Sequence, residues 1–165
     1  MRILIIFLAT FNILPDKTNR LIEKRNIYEP ETHIEELFHD FLERHATFPS
    51  TAGMAGEARE CVMQAYRLSE NRINREADKW LLKWIETECK LFKALEIKIY
   101  GDKLKSSFND MDDLIGFSNT MLNRRKSGAG KSLEHHLAQI FTNAGLRFET
   151  QEMTEGKKKP DFLFP

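Results

Sequence analysis

Two carboxylates near the C-terminus are the residues best suited to chemistry. Glu134 and Asp161 stand 27 positions apart, with Lys131 before the first and Lys157, Lys158 and Lys159 before the second. Mg²⁺ takes hard oxygen donors, is held by one or two carboxylates and keeps several waters. An ion so held, flanked by cations, suits phosphodiester hydrolysis. The ion polarises the phosphoryl group and activates water, and the cations hold the polyanion. Spacing alone equally allows plainer roles: a carboxylate stabilised by a helix dipole at Glu134, and a turn residue after Pro160 at Asp161.

The surrounding pattern says which elements would position them. Leu133, Leu137, Ile140 and Phe141 make one helical face, so a helix is expected to open at Lys131-Ser132, with Glu134 in its first turn and Gly145 as its C-cap. Leu146 to Gln151 alternates apolar and polar as a strand does, Thr154-Glu155-Gly156 and the lysines read as a turn, and Phe162-Leu163-Phe164 reads as a second strand. That connectivity would carry Asp161 back toward Glu134. Gly128-Ala129-Gly130-Lys131-Ser132 resembles the end of a phosphate-binding P-loop, but Arg125 stands where that motif needs Gly. A nucleotide-binding loop is therefore not expected. Backbone N–H groups of a Gly-rich loop meeting a DNA phosphate remain open.

Upstream, the chain reads as helices. Thr32-His33-Ile34-Glu35 fits a capping box, followed by Ile34, Leu37, Phe38, Phe41 and Leu42 on one face. This helix should end before Phe48-Pro49. Ser50 can cap the next one, whose stripe is Met54, Ala58, Val62 and Ala65. Asn71 to Arg75 reads as a connection. A broad apolar face from about Asp78 to Ile99, with Trp80 and Trp84, predicts a central core helix. Another is expected from about Ser107 to Asn123.

Composition bounds the rest. The chain has 165 residues, 41% of them hydrophobic, with 25 Lys+Arg against 25 Asp+Glu, which fits one domain with a real core. Residues 1–115 carry 17 basic and 20 acidic side chains, whereas residues 116–165 carry 8 and 5. The basic clusters Arg124-Arg125-Lys126 and Lys157-Lys158-Lys159 suit a polyanion, or a solvated basic face. Two cysteines, Cys61 and Cys89, make no disulfide framework, so a reducing cytoplasm is expected. His135 and His136 are adjacent and His33, His39 and His45 lie in another helix, so zinc is not expected. Ile3 to Leu14 is apolar, but shorter than the roughly 17–25 residues a membrane span needs. It is read as a buried strand or a remnant, with secretion the minor alternative.

Four stretches carry a family resemblance: Arg124-Arg125-Lys126-Ser127, Ala129-Gly130-Lys131-Ser132-Leu133-Glu134, Thr154-Glu155-Gly156-Lys157-Lys158 and Pro160-Asp161-Phe162. Together they resemble the catalytic domain of EcoRII-type restriction endonucleases. The resemblance runs from about Phe48, takes in Trp84, Glu88 and Phe92, and is most specific from Asn123 onward. It implies the PD-(D/E)XK nuclease superfamily, a mixed sheet flanked by helices, and Mg²⁺-dependent cutting of double-stranded DNA at short sites beginning CC and ending GG. Asp161 is similar to the metal-binding Asp of the PD motif, and Glu134 resembles the helical Glu that supplements it. Arg124, Arg125 and Lys126 match the basic segment used against DNA. An Arg there could bind guanine O6 and N7 bidentately, or a phosphate alone. Lys131 is expected to join them in one basic surface beside Glu134.

Two departures qualify the match. The family usually has Arg where this chain has Gly128, and its catalytic Lys and a further acidic residue lie beyond positions corresponding to Pro165. The expectation is an α/β (α+β) chain: a segment of unknown role over 1–45, then over 46–165 a helix-rich part leading into an incomplete restriction-endonuclease-like core. Functionally it reads as a truncated type II restriction endonuclease with little activity, homodimeric when complete. The alternatives are a non-catalytic DNA-binding protein, or a helical interaction protein, derived from the same fold.

Overall fold

The computed structural model describes residues 29–150 and 159–165. The expected strand at Ile3–Leu14 and the turn through Thr154–Lys158 lie outside them. The first helix, α1 (Pro30–Arg44), starts earlier than the capping box at Thr32 predicts. Pro30 occupies its first turn, where the ring's fixed φ suits a helix and the missing N–H has no intrahelical acceptor to lose. Its N-cap is Glu29, with no side-chain cap. At the other end the Lys98 ammonium donates to the carbonyls of Leu42 and His45, which the helix itself leaves without donors. Helix α2 (Thr51–Tyr66) is capped as expected: the Ser50 hydroxyl accepts from the Gly53 N–H at 3.1 Å.

The polar stretch read as a connection is a short helix, α3 (Glu70–Arg75). Its one apolar side chain, Ile73, is fully buried, and that anchorage outweighs a polar local sequence. Helix α4 (Ala77–Lys105) extends the predicted core helix at both ends. Trp80 and Trp84 are buried on it as expected, with Leu91 and Leu95 about two and three turns beyond Trp84. The core forms two clusters along α4. One joins Ile34, Val62, Ile73 and both tryptophans; the other joins Phe41, Met54, Ala58, Leu91 and Leu95. Ala55, Ala58 and Ala65 are fully buried, and such small side chains let α2 lie close on α4. Because Ile34 and Phe41 belong to these clusters, α1 shares the core with α2 and α4.

The largest difference from expectation is α5 (Met111–Asn143), a single helix of 33 residues. It opens at Asp110, whose carboxylate accepts from the Asp113 N–H at 2.8 Å. It then runs unbroken through Gly128 and Gly130, where a loop and a fresh helix start were expected. Each glycine in a helix interior costs about 1 kcal/mol against alanine. The helix survives because contacts to α4 hold it on both sides of the glycines, at Arg125 and at Ser132 and His136. It ends as predicted at Gly145, with φ of 72°. There Gly145 N–H donates to Thr142 O and Leu146 N–H to Phe141 O, a Schellman arrangement.

The expected strands are present but short. β1 (Glu149–Thr150) and β2 (Phe162–Leu163) pair antiparallel, Glu149 opposite Leu163 and Thr150 opposite Phe162. Phe162 packs edge-on against Phe141 at 5.1 Å and Phe148 at 5.5 Å, which seats the hairpin on the end of α5. The predicted mixed sheet of a restriction-endonuclease core is not what the described residues form. They are mainly helical, with this one two-stranded sheet.

Candidate nucleic-acid interface and the buried polar cluster behind it

Helix α4 carries Glu88, Phe92 and Glu96 at spacings of four, so they lie along one face. That face meets α5. Both carboxylates are buried, at 6% and 5% exposure, and buried charge is tolerated only when paired. Each has found partners on α5. Arg125 donates to Glu96 through Nε at 2.9 Å and Nη2 at 2.5 Å. The Ser132 hydroxyl donates to Glu88 Oε2 at 2.6 Å, and His136 Nε2 lies 2.8 Å from the same oxygen. Glu96 also raises the Arg125 pKa above its ordinary value, first through this hydrogen bond.

Arg59 of α2 closes the cluster. Its Nη1 lies 3.3 Å from His136 Nδ1 and donates to the His135 carbonyl at 3.3 Å. A guanidinium can only donate, so Nδ1 accepts and Nε2 carries the hydrogen toward Glu88. Burial lowers the Arg59 pKa, and the Glu88 charge opposes that shift. His135 turns instead to α2, with Nε2 3.2 Å from the Thr51 hydroxyl, and burial lowers its pKa. The adjacent histidines do point apart, as expected: His135 joins α5 to α2, and His136 joins it to both α4 and α2.

Two clefts open over this cluster. One, of about 430 Å³, lies between Phe48, Pro49 and Arg124; the other, of about 340 Å³, lies between Cys89, Lys93 and Arg125. Glu88, Phe92 and Gly128 line both. A Cβ at Gly128 would meet nothing within 4 Å, so the space beside the helix here is open.

The predicted site residues fall as follows. Consecutive residues on a helix stand about 100° apart, so Arg124, Arg125 and Lys126 fan around α5. Only Arg124 and Lys131, seven apart, share a face. Arg124 is exposed and lies over the Phe48 ring at 4.5 Å. Arg125 turns to Glu96, and Lys126 is exposed. Lys131 pairs with Glu134 at 2.9 Å. Glu134 is well inside α5, so the helix-dipole role proposed for a first-turn carboxylate does not apply. The Gly128–Ser132 segment is likewise helical, so its N–H groups are not a phosphate cradle. Asp161 is exposed at the entry to β2, whose Phe162 rests on Phe141, about 10 Å along α5 from Glu134. As hard oxygens the pair suit Mg²⁺ in kind. Among the described residues no group of three or more His, Cys, Asp or Glu gathers as a metal site.

Sequence reasoning did not single out Glu96 or Arg59, and it weighed Ser132 only in a helix start and a family motif and His136 only as a zinc ligand. A signal was present on α4: Glu88 follows Trp84 by four and Glu96 follows Phe92 by four, which puts both charges in line with apolar residues.

Residues 92–165 match the family model described as EcoRII C terminal. The match to this family model begins at Phe92, in the middle of α4. It takes in Glu96, all of α5 with Arg124 to Glu134, and the hairpin with Asp161. The type II restriction enzyme EcoRII of Escherichia coli is 47% identical over 89 residues, which are 53% of this chain and 22% of that protein. The chain therefore spans about a fifth of the relative's length. Both matches support an EcoRII-type restriction-enzyme relationship for the C-terminal part of the chain. Among the described residues no helix is long and apolar enough to cross a membrane.

Proposed function

We propose that this chain contributes the DNA-contacting helix of an EcoRII-type, Mg²⁺-dependent type II restriction endonuclease of the PD-(D/E)XK superfamily. The observation that carries the reading is that the basic segment of α5 lies inside the stretch matching EcoRII, with Arg124 and Lys126 solvent-exposed. Arg124, Arg125, Lys126 and Lys131 are the cations offered to double-stranded DNA. Asp161, with Glu134, would hold Mg²⁺, which supplies Lewis-acid activation of the scissile phosphate and of water. The substrate is a short site of CC…GG form, and a homodimer suits its symmetry. Residues 46–165 are read as the nuclease-related part and 1–45 as a segment of unknown role, of which α1 packs into the same core.

Residues 1–165 by themselves are expected to bind DNA and cleave poorly. None of the matched motif positions provides the family's lysine beside the attacking water, and one such preorganised group is worth roughly 10²–10³ in rate. The Lys131–Glu134 ion pair must also open before Glu134 can serve a cation. That pairing supports the second reading, a DNA-binding protein without catalysis.

The test is duplex binding across a salt series. Each phosphate contact contributes about 0.9 to the log–log slope, so Arg124→Ala and Lys126→Ala should each flatten it by nearly that amount. Unchanged slopes would remove this helix from the DNA interface. Cleavage of CC…GG duplexes with Mg²⁺, abolished by Asp161→Ala, would reject the non-catalytic reading.

A further inference from the structure

Arg125 is the member of the basic segment whose guanidinium plane is set by the protein itself. Its side chain is 55% exposed, whereas that of Glu96 is 7% exposed. A guanidinium offers five N–H groups in a rigid planar fork. Glu96 takes one edge of that fork, Nε and one hydrogen of Nη2. The opposite edge, Nη1 and the second hydrogen of Nη2, is turned away from the carboxylate. Arg125 lines the smaller cleft, as does Lys93. Neighbouring Arg124 lies over a phenyl ring and Lys126 is a flexible ammonium, so neither has an edge fixed by a carboxylate.

We infer that Glu96 is a positioning residue for nucleic-acid recognition: it grips Arg125 by one edge so that the other presents two parallel N–H groups to a paired acceptor on DNA. Guanine O6 and N7 form such a pair, and so do two phosphate oxygens. The inference rests on the DNA-binding reading above. Its physical basis is preorganisation. A long side chain immobilised before binding need not lose its rotamer freedom on binding. The burial of Glu96 keeps the grip in place, because a buried carboxylate without its partner is strongly disfavoured.

The experiment uses the full chain and a duplex carrying a CC…GG site, with wild type, Glu96→Gln, Arg125→Ala and the double variant. Arg125→Ala should weaken binding about 5- to 150-fold. Glu96→Gln should weaken it about 2- to 10-fold, the share due to losing the preset side chain. In the Arg125→Ala background Glu96→Gln should change nothing further. A purely structural Glu96 would instead weaken binding equally in both backgrounds, and that result overturns the inference. Equal or tighter binding by Glu96→Gln also overturns it, since Glu96 would then compete with DNA for the arginine. Replacing site guanines with 7-deazaguanine separates the two acceptor sources. Loss of the Arg125 effect identifies the base, and its persistence with a flattened salt slope identifies phosphate. A DNA-free readout is the Arg125 Nε–H NMR resonance, expected to be sharp and slow to exchange in wild type and lost in Glu96→Gln. If that resonance behaves so while wild type binds no duplex, the DNA reading has failed and the inference falls with it. If wild type binds but the resonance is mobile, the inference alone fails.

Discussion

Replacing both mid-helix glycines of α5 with alanine should stabilise the protein, and the size of the gain measures whether the segment is helical. Gly128 and Gly130 sit inside α5, and a Cβ at either would meet nothing within 4 Å. No steric cost therefore opposes the gain in helix propensity, about 0.8–1 kcal/mol at each position. Part of that gain comes from restricting the unfolded chain, and it has the same sign. The two positions are two apart and face different sides of the helix, so their effects should add to about 2 kcal/mol. For a chain of this size that raises Tm by roughly 4–8 °C. The assay is thermal and urea unfolding followed by far-ultraviolet circular dichroism, requiring an unchanged m-value so that the shift reports stability. Gly145→Ala is the internal control. Its φ of 72° lies in the left-handed region, so there alanine should cost about 1–2 kcal/mol. No change or a loss in the Gly128→Ala, Gly130→Ala double variant would mean that the segment is a loop, and the continuous helix would be refuted.

Glu88→Ala should cost about 3–5 kcal/mol in urea unfolding, because Ser132 and the fully buried His136 both lose their acceptor; a loss under about 1 kcal/mol would show that the cluster does not hold α5. Gly128→Arg should tighten duplex binding and steepen its salt slope by up to about 0.9, since the space for the side chain is open; an unaltered slope would show that position 128 does not face DNA. The Glu31 carboxyl is held below its ordinary value of 4.5, first by the hydrogen bond from Lys83 and then by that from Tyr66. Its contribution is fully present above 4.5 and lost as pH falls through the lowered folded value. The stability difference between wild type and Glu31→Gln should therefore shrink in acid, and a difference that grows there would contradict the pairing. Burial pushes the Cys61 thiol up to about 11, whereas Cys89 is exposed, so alkylation of the native chain at pH 8 should label Cys89 first by mass spectrometry.

The helices were legible wherever apolar spacing and a cap agreed. Ser50 with Met54, Ala58, Val62 and Ala65 marked α2, and Trp80 with Trp84 marked the centre of α4. Legibility failed where tertiary contacts override local preference. Asn71 to Arg75 looks like a linker unless the burial of Ile73 is known. Gly128 and Gly130 look like a loop unless Glu88 and Glu96 are known to hold α5 on either side. The site divides in the same way. The basic segment and the carboxylates at Glu134 and Asp161 are visible as residue types at suggestive positions. Which cation extends freely into solvent and which is gripped by Glu96 depends on helical phase, and the glycines at 128 and 130 hide that phase in the sequence.

The two carboxylates of α4 also have a mechanical meaning. Glu88 and Glu96 are eight residues apart, about 12 Å along α4, and their partners Arg125 and Ser132 are seven apart, about 10.5 Å along α5. A rod pinned at one point can still swivel; pinned at two it can neither swivel nor slide. Sliding α5 by a single turn would break both pins at once. The helix is therefore held in one register on α4, and the hairpin seated on Phe141 keeps a fixed spacing from Arg124 and Lys126.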